Sequence, residues 1–401
     1  MSPRRLAGWA ALAGCVIAAR PAAAYPSLAP TAALSLDSAF DSNVQNARGA
    51  DEVTRITPHL ALRLADRDAT LTLGYDLGAW IYARGTADNS LNHRGDVVLE
   101  ARPARRLTLR LADEIIYAGD PAFLLRVGVV APQTSIFDNT AEGQIAYEFT
   151  RRIAGSASYV YRHTTFGAPP PGSPPLFDGD EHDGALDLSA RVTRLDDARI
   201  GGRVQYFTAD GSGVAVDGSP AIGWRHQFLP ELEGRVEGGP IFFHLLDAGQ
   251  RIAATEQGAG SAVTWRAVGL LRYVRRGARA SLALSRDVVG GTGAATVLWA
   301  EYAYAQGGWR NERVDLHGGV GFFANGFAPN ARRLYDGVYV DAAVDVTLVG
   351  WLRLGAWYSF RWQEAVEAAA GLPLPDVTRH IVGLRISGVF GFEANPPRHP
   401  H

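Results

Sequence analysis

The sequence predicts a closed, up-and-down antiparallel β-barrel of about 18 strands that spans a membrane. Three features carry this prediction. Segments of about ten residues alternate apolar and polar side chains from Ala33 to Phe392 with hardly a break. The connections between them alternate between short and long. The polar faces carry charges of both signs, which hydrocarbon does not tolerate, so that face lines water or a polar plug.

The chain opens with Arg4-Arg5, an apolar run from Leu6 to Ala19, and small residues at Ala22-Ala23-Ala24 before Tyr25. That order reads as a secretory signal peptide over residues 1–24, its apolar run too short to span a bilayer. The only cysteine, Cys15, stands in Leu12-Ala13-Gly14-Cys15, an order that resembles a lipoprotein cleavage box. Val16 to Ala19 stay apolar where a lipoprotein turns polar, which favours cleavage at Ala24 over lipidation of Cys15. The mature chain is then without cysteine, and disulfides, thiolate metal sites and cysteine nucleophiles are excluded. A formal charge of −2 gives no electrostatic footprint for a nucleic-acid partner. All 39 basic residues are arginine. Beyond the leader no run reaches the 18 or so apolar residues of a helical span, so the membrane is crossed by strands.

The barrel is expected over residues 25–392, with a short periplasmic tail at 393–401. Its strands fall at 33–40, 54–64, 70–83, 93–101, 106–117, 140–150, 153–165, 182–193, 199–208, 221–228, 231–243, 262–274, 279–286, 296–305, 313–323, 338–348, 352–363 and 379–392. The clearest is the hairpin from Val338 to Gln363. Val338, Val340, Ala342, Val344, Val346 and Leu348 share one face, and Leu352, Leu354, Ala356, Tyr358, Phe360 and Trp362 match them on the second arm. Setting Leu348 opposite Leu352 puts apolar against apolar along the whole ladder.

Short turns are expected at Asp66-Arg67-Asp68, Pro103-Ala104, Arg151-Arg152, Leu195-Asp196, Leu229-Pro230, Arg276-Gly277, Gly307-Gly308 and Gly350. Long links alternate with them, among them Ala118 to Asn139, Phe166 to Glu181 and Ala209 to Pro220. Outer-membrane barrels keep short turns inside and long loops outside, so an even strand count leaves both termini in the periplasm.

The inward face is expected to carry Arg110, Glu114, Glu142, Glu148, Arg162, Asp187, Arg191, Arg203, Glu233, Arg235, Glu237, Arg266, Arg272, Glu301, Asp315, Asp341, Asp345, Arg353, Arg361 and Arg385, with Trp80, Trp299 and Trp357 among them. The chief lumen-lining candidates are Arg110, Glu148, Arg162, Arg203, Arg235, Arg266, Arg272, Asp341, Asp345, Arg353, Trp357, Arg361 and Arg385. Asp345 is expected to pair diagonally with Arg353, and Asp341 with Arg361. Such charges either set a field for passing solutes or satisfy one another. Aromatics near strand ends (Trp80, Tyr82, Tyr117, Tyr161, Trp224, Tyr273, Tyr302, Trp351, Trp362) suit interface girdles.

Nothing in the chain spells catalysis or cofactor binding. Gly258-Ala259-Gly260-Ser261 breaks the nucleophile-elbow spacing, and no phosphate-cradling loop or His-Glu-x-x-His helix appears. The ten histidines read as isolated solvent-facing residues. Asp178, Asp180, Glu181 and Asp183 lack calcium-loop spacing and read as a solvated loop, so no metal site is expected.

The last strand, with Leu384, Ile386, Gly388, Phe390 and Phe392 alternating, resembles the aromatic-rich strand recognised by the outer-membrane assembly machinery, although Glu393 to His401 follow it. Leu34 to Val44 resembles the first strand and loop of porin-like barrels found beside exopolysaccharide-export genes. In length and loop pattern the whole chain is similar to the 18-stranded barrels of those systems. The resemblance implies a Gram-negative outer-membrane channel that secretes an exopolysaccharide together with a periplasmic export component. Trp80, Trp299 and Trp357 would stack on sugar rings in such a path. A general diffusion porin for small solutes is the alternative reading. A structural or adhesive barrel acting through its long loops is a further one.

Overall fold

The computed structural model describes residues 27–44, 49–119, 134–168, 178–210, 213–247, 260–290, 297–327, 333–365 and 376–391. Alternation of side chains gives eighteen strands. The first six are β1 (Ser27–Val44), β2 (Gly49–Ala65), β3 (Ala69–Tyr82), β4 (Ser90–Ala104), β5 (Leu107–Ala118) and β6 (Ile136–Glu148). Next come β7 (Ile153–Phe166), β8 (Gly179–Arg191), β9 (Asp196–Ala209), β10 (Gly213–Leu229), β11 (Leu232–Asp247) and β12 (Gly260–Arg275). The last are β13 (Ala278–Gly290), β14 (Val297–Arg310), β15 (Val314–Phe327), β16 (Arg333–Val349), β17 (Leu352–Ala365) and β18 (Val377–Gly391). Each matches one expected segment.

Every strand pairs antiparallel with its sequence neighbours, and β1 also pairs with β18 from Thr31↔Gly391 to Asp41↔Ile381. The sheet therefore closes on itself and no edge is left to recruit another chain. The chain is a closed antiparallel β-barrel of eighteen strands. No helix among the described residues is long and apolar enough to cross a membrane.

The outer wall is set by residues that a soluble protein would bury. Leu186, Ile222, Val263 and Leu384 are 67–71% exposed, and the same alternation runs through Leu34, Leu60, Ile145, Ile200, Val236, Val320 and Leu354. Buried apolar residues instead gather inside the rim formed by the longer links. Phe207, Ile241, Phe243 and Leu245 form one such cluster, and Ile116, Ala118 and Ile136 another.

Strands run from 12 to 18 residues, beyond the 9–11 or so that a tilted crossing needs, and the surplus lies toward the longer links. Two expected loops are corrected by it. Ala209 to Pro220 shrinks to residues 210–212, because β10 begins at Gly213. Its turn-like composition is absorbed by the ladder. The pairing of β10 with β11 skips from Gly218 to Ile222 around Pro220, which has no N–H to give, while the pairing with β9 is continuous. The acid cluster is strand rather than loop from Gly179 onward, so alternation sends Asp180 outward and Glu181 and Asp183 inward.

Among the turns, Gly307-Gly308 is also corrected. Both glycines lie inside β14, opposite Gly318 and His317, and the chain reverses at residues 311–313. There the Asn311 side chain accepts the backbone N–H groups of Arg313 and Val314 at 2.8 and 2.7 Å, which fixes the turn. Both β1 and β18 start or end on the short-turn rim. Residues 1–26 and 392–401, which hold the expected signal peptide, Cys15 and the tail, lie outside the described residues.

Candidate functional site

The inner wall is built by the residues that alternate with the exposed apolar set. By register, Arg110, Glu148, Arg162, Arg203, Arg235, Arg266, Arg272, Asp341, Asp345, Arg353, Trp357, Arg361 and Arg385 all stand on this inner face. They do not form one cluster. Glu148, Arg272 and Arg353 are exposed beside the short turns, the positions of a mouth. The others fall on two stretches of wall with different chemistry.

From β5 to β13 the wall is a ladder of ion pairs. Arg110 meets Glu142 at 2.7 Å, Arg162 meets Glu181 at 2.7 Å, and Arg203 meets Asp287 at 2.8 Å. Glu237 is the hub, receiving Arg199 at 3.1 Å, Arg235 at 2.6 Å and Arg266 at 2.9 Å. Asp187 holds the other side of Arg199 at 2.5 Å. Three arginines converge on one glutamate, and the pairing holds the long side chains along the wall.

From β14 round to β3 the wall is aromatic, with arginines lying over the rings. Tyr304 stacks on Tyr339 with centroids 5.5 Å apart, and the Arg361 guanidinium lies 5.4 Å over the Tyr339 ring. Trp357 reaches across β18 and β1 toward Arg55, which lies 5.5 Å over it and 4.4 Å over Trp80. The rings can lie flat because glycine or alanine stands beneath them. A Cβ at Gly319, Gly321 or Gly383 would collide with Tyr304, Tyr339 or Trp357 respectively. Arg55 has no carboxylate within hydrogen-bond reach among the described residues, and its buried Nε is without a partner. Its charge is held by the two indole faces.

Ion pairs also stand in the second stretch, beside β18. Asp341 pairs with Arg361 at 3.7 Å, but Asp345 pairs with Arg385 at 3.2 Å and not with Arg353. The register of β16 against β17 is the expected one, with Val346 opposite Leu354. What differs is Gly355, which stands between Asp345 and Arg385 in adjacent strands and offers no side chain to separate them. Leu348 is bulged out at the turn, so Val349 rather than Leu348 faces Leu352.

Glu301 and Trp299 do not belong to this wall. Register sets Glu301 opposite Arg286 and Ala324, on the face shared with exposed Leu284 and Phe322. The carboxylate is tolerated there because Arg286 pairs with it, while Arg286 itself lies 4.5 Å over Trp265 and 5.3 Å over Trp299. Of the expected girdle residues, Tyr117, Trp224, Tyr161, Tyr273 and Trp362 face outward and Trp351 sits exposed at its turn. Trp80, Tyr82 and Tyr302 face inward instead.

Sequence reading missed the pair that locks the closing seam. Arg379 of β18 grips Asp41 of β1 through Nε at 3.1 and 3.0 Å and through Nη2 at 2.5 Å, both side chains buried. The Asn43 amide donates to the Thr378 carbonyl at 3.0 Å beside it. The acid cluster is likewise engaged: Asp180 accepts from Tyr161 at 2.6 Å, and Asp178 accepts the Phe166 N–H at 2.8 Å. Among the described residues no group of histidine, cysteine or carboxylate side chains is arranged to hold a metal ion.

No protein-family model matches the chain, and no curated protein matches it in sequence. Solved structures are similar in fold. OccAB4 of Acinetobacter baumannii has 9% identity and a TM-score of 0.46, covering 91% of this chain and 98% of its own. OccK2 (OpdF) of Pseudomonas aeruginosa, solved with glucuronate, has 9% identity and a TM-score of 0.47, with 91% and 98% covered. A BenF-like porin of Pseudomonas fluorescens has 10% identity and a TM-score of 0.48, with 91% and 99% covered.

Proposed function

We propose that this barrel is a channel through which small hydrophilic solutes diffuse across the outer membrane, with no chemistry performed on them. The amino-terminal segment directs export, and the short-turn rim with both termini faces the periplasm. One observation carries the reading: a closed wall of eighteen strands whose inner charges pair along the wall and whose inner rings lie flat against it. Barrels of 16–18 strands are wide enough for water when their inner side chains do not cross the axis.

The Arg55 site sharpens the reading. A cation between two indole faces with no carboxylate of its own favours solutes that bring an acceptor, such as carboxylates or sugars. Purified protein in a planar bilayer should give steady, stepwise conductance with no other component added. Secretion of a polysaccharide is the second reading, supported by Trp80 and Trp357 as sugar-stacking surfaces. Under that reading the bilayer stays silent until a periplasmic component is supplied, and a deletion strain loses surface polysaccharide.

A further inference from the structure

The outer wall repeats one arrangement three times. Tyr75, Tyr159 and Tyr358 stand six residues past Ala69, Ile153 and Leu352, the first residues of β3, β7 and β17. In the strand that follows each, a histidine faces the residue two further on: His93 opposite Leu77, His182 opposite Tyr161, His380 opposite Phe360. The tyrosine hydroxyl meets the histidine Nδ1 at 2.8, 2.7 and 2.9 Å. These are not the isolated solvent-facing histidines of the sequence reading. Exposed Leu91, Leu186 and Val382 share their face, which is the lipid side.

Depth and chemistry both constrain what they touch. Eight residues of tilted strand rise roughly 20 Å above the short turns, close to the far boundary of an apolar band about 25 Å tall. With the phenol assigned as donor to Nδ1, the imidazole is its Nε2–H tautomer and the second nitrogen is a donor on the far side of the ring. Neighbouring rings pack beside each imidazole. Tyr117 lies 6.2 Å from His93, Tyr161 and Tyr206 lie 5.0 and 6.0 Å from His182, and Phe360 lies 4.9 Å from His380. Among the described residues no protein acceptor meets these three Nε2 atoms. An N–H at that boundary takes its acceptor from water or from a headgroup oxygen.

We propose that the three Tyr–His pairs bind phosphate-bearing lipid headgroups of the outer leaflet, each Nε2–H donating to a phosphate oxygen. The proposal rests on the orientation given above, with the longer links outside. No acidic side chain adjoins His93 or His380 on this face, and the one beside His182, Asp180, is occupied by Tyr161 and His163. An anionic oxygen therefore meets no carboxylate at His93 and His380, while at His182 it lies beside the hydrogen-bonded carboxylate of Asp180.

The test uses full-length barrel in non-ionic detergent, titrated with phosphatidylglycerol or with a neutral galactolipid and read by native mass spectrometry. Phosphatidylglycerol should be retained about tenfold more tightly than the galactolipid. The triple variant His93→Phe, His182→Phe, His380→Phe keeps ring bulk and should lose that preference, with sheet content unchanged by circular dichroism. Equal retention of both lipids by the natural protein, or an undiminished preference in the triple variant, overturns the proposal. If the variant fails to fold, dephasing of imidazole ¹⁵N signals by lipid ³¹P in the natural protein decides: its presence supports the contact and its absence overturns it. A barrel that conducts but does not discriminate lipids sinks this inference alone. One that discriminates lipids but never conducts sinks the channel reading instead.

Discussion

Glu237 sits among Arg199, Arg235 and Arg266, so removing its charge leaves three guanidiniums with less carboxylate against them. Glu237→Gln should shift the channel toward anions, with the anion-to-cation permeability ratio rising on the order of twofold. Zero-current potentials across a salt gradient measure it, and a shift toward cations would contradict the placement. Arg379 and Asp41 make the opposite kind of site, a buried pair whose worth is structural. Asp41→Asn removes the carboxylate charge facing a buried guanidinium and should cost about 3–5 kcal/mol in urea unfolding, more than the double change Asp41→Leu, Arg379→Met. Which face a lumen residue occupies was legible in the sequence, because alternation alone decides it for Arg162 or Trp357. Which partner it takes was not. Asp345 reaches Arg385 over Gly355, and Asp41 meets Arg379 across the whole length of the chain; neither contact leaves a local trace. Glu301 shows where parity by charge fails, since an ion pair under two tryptophans lets a carboxylate stand outside.

Arg276 and Gly277, with φ of 41° and 86°, close the hairpin between β12 and β13 as a two-residue turn with both residues left-handed. A Cβ at Gly277 would also collide with the Arg310 carbonyl of the next hairpin. Gly277→Ala should therefore lower stability by roughly 1–3 kcal/mol, read as a shift in the urea midpoint, whereas the same change at Gly350, in open space, should cost less. This turn was legible, since glycine after a charged residue between two alternating runs is the usual signature. The turn at Asn311 was hidden behind Gly307-Gly308. Glycine in a strand signals close backbone approach as readily as reversal, and at Gly308 a Cβ would press on the Leu316 carbonyl. Strand ends on the long-link rim were hidden for a related reason. Beyond the bilayer no face need be apolar, so Gly213 to Pro220 continues the ladder in residues that look like a loop.

At the scale of the molecule, strand number and closure were readable from parity, because each strand answers to the same hydrocarbon on one side and water on the other. The circumference is completed by residues 27–44 meeting residues 377–391, through eleven register pairs and the Asp41–Arg379 grip. The first and last strands are thus each other's neighbours, and neither can be satisfied until the other has been synthesised and delivered. A chain stopped before Val377 would expose one raw flank at β1 and another at β17, and should be found as strand-exchanged oligomers or degraded chains, without the heat-resistant compact form on gels. The ring is complete only when β1 latches to β18, the first strand made to the last.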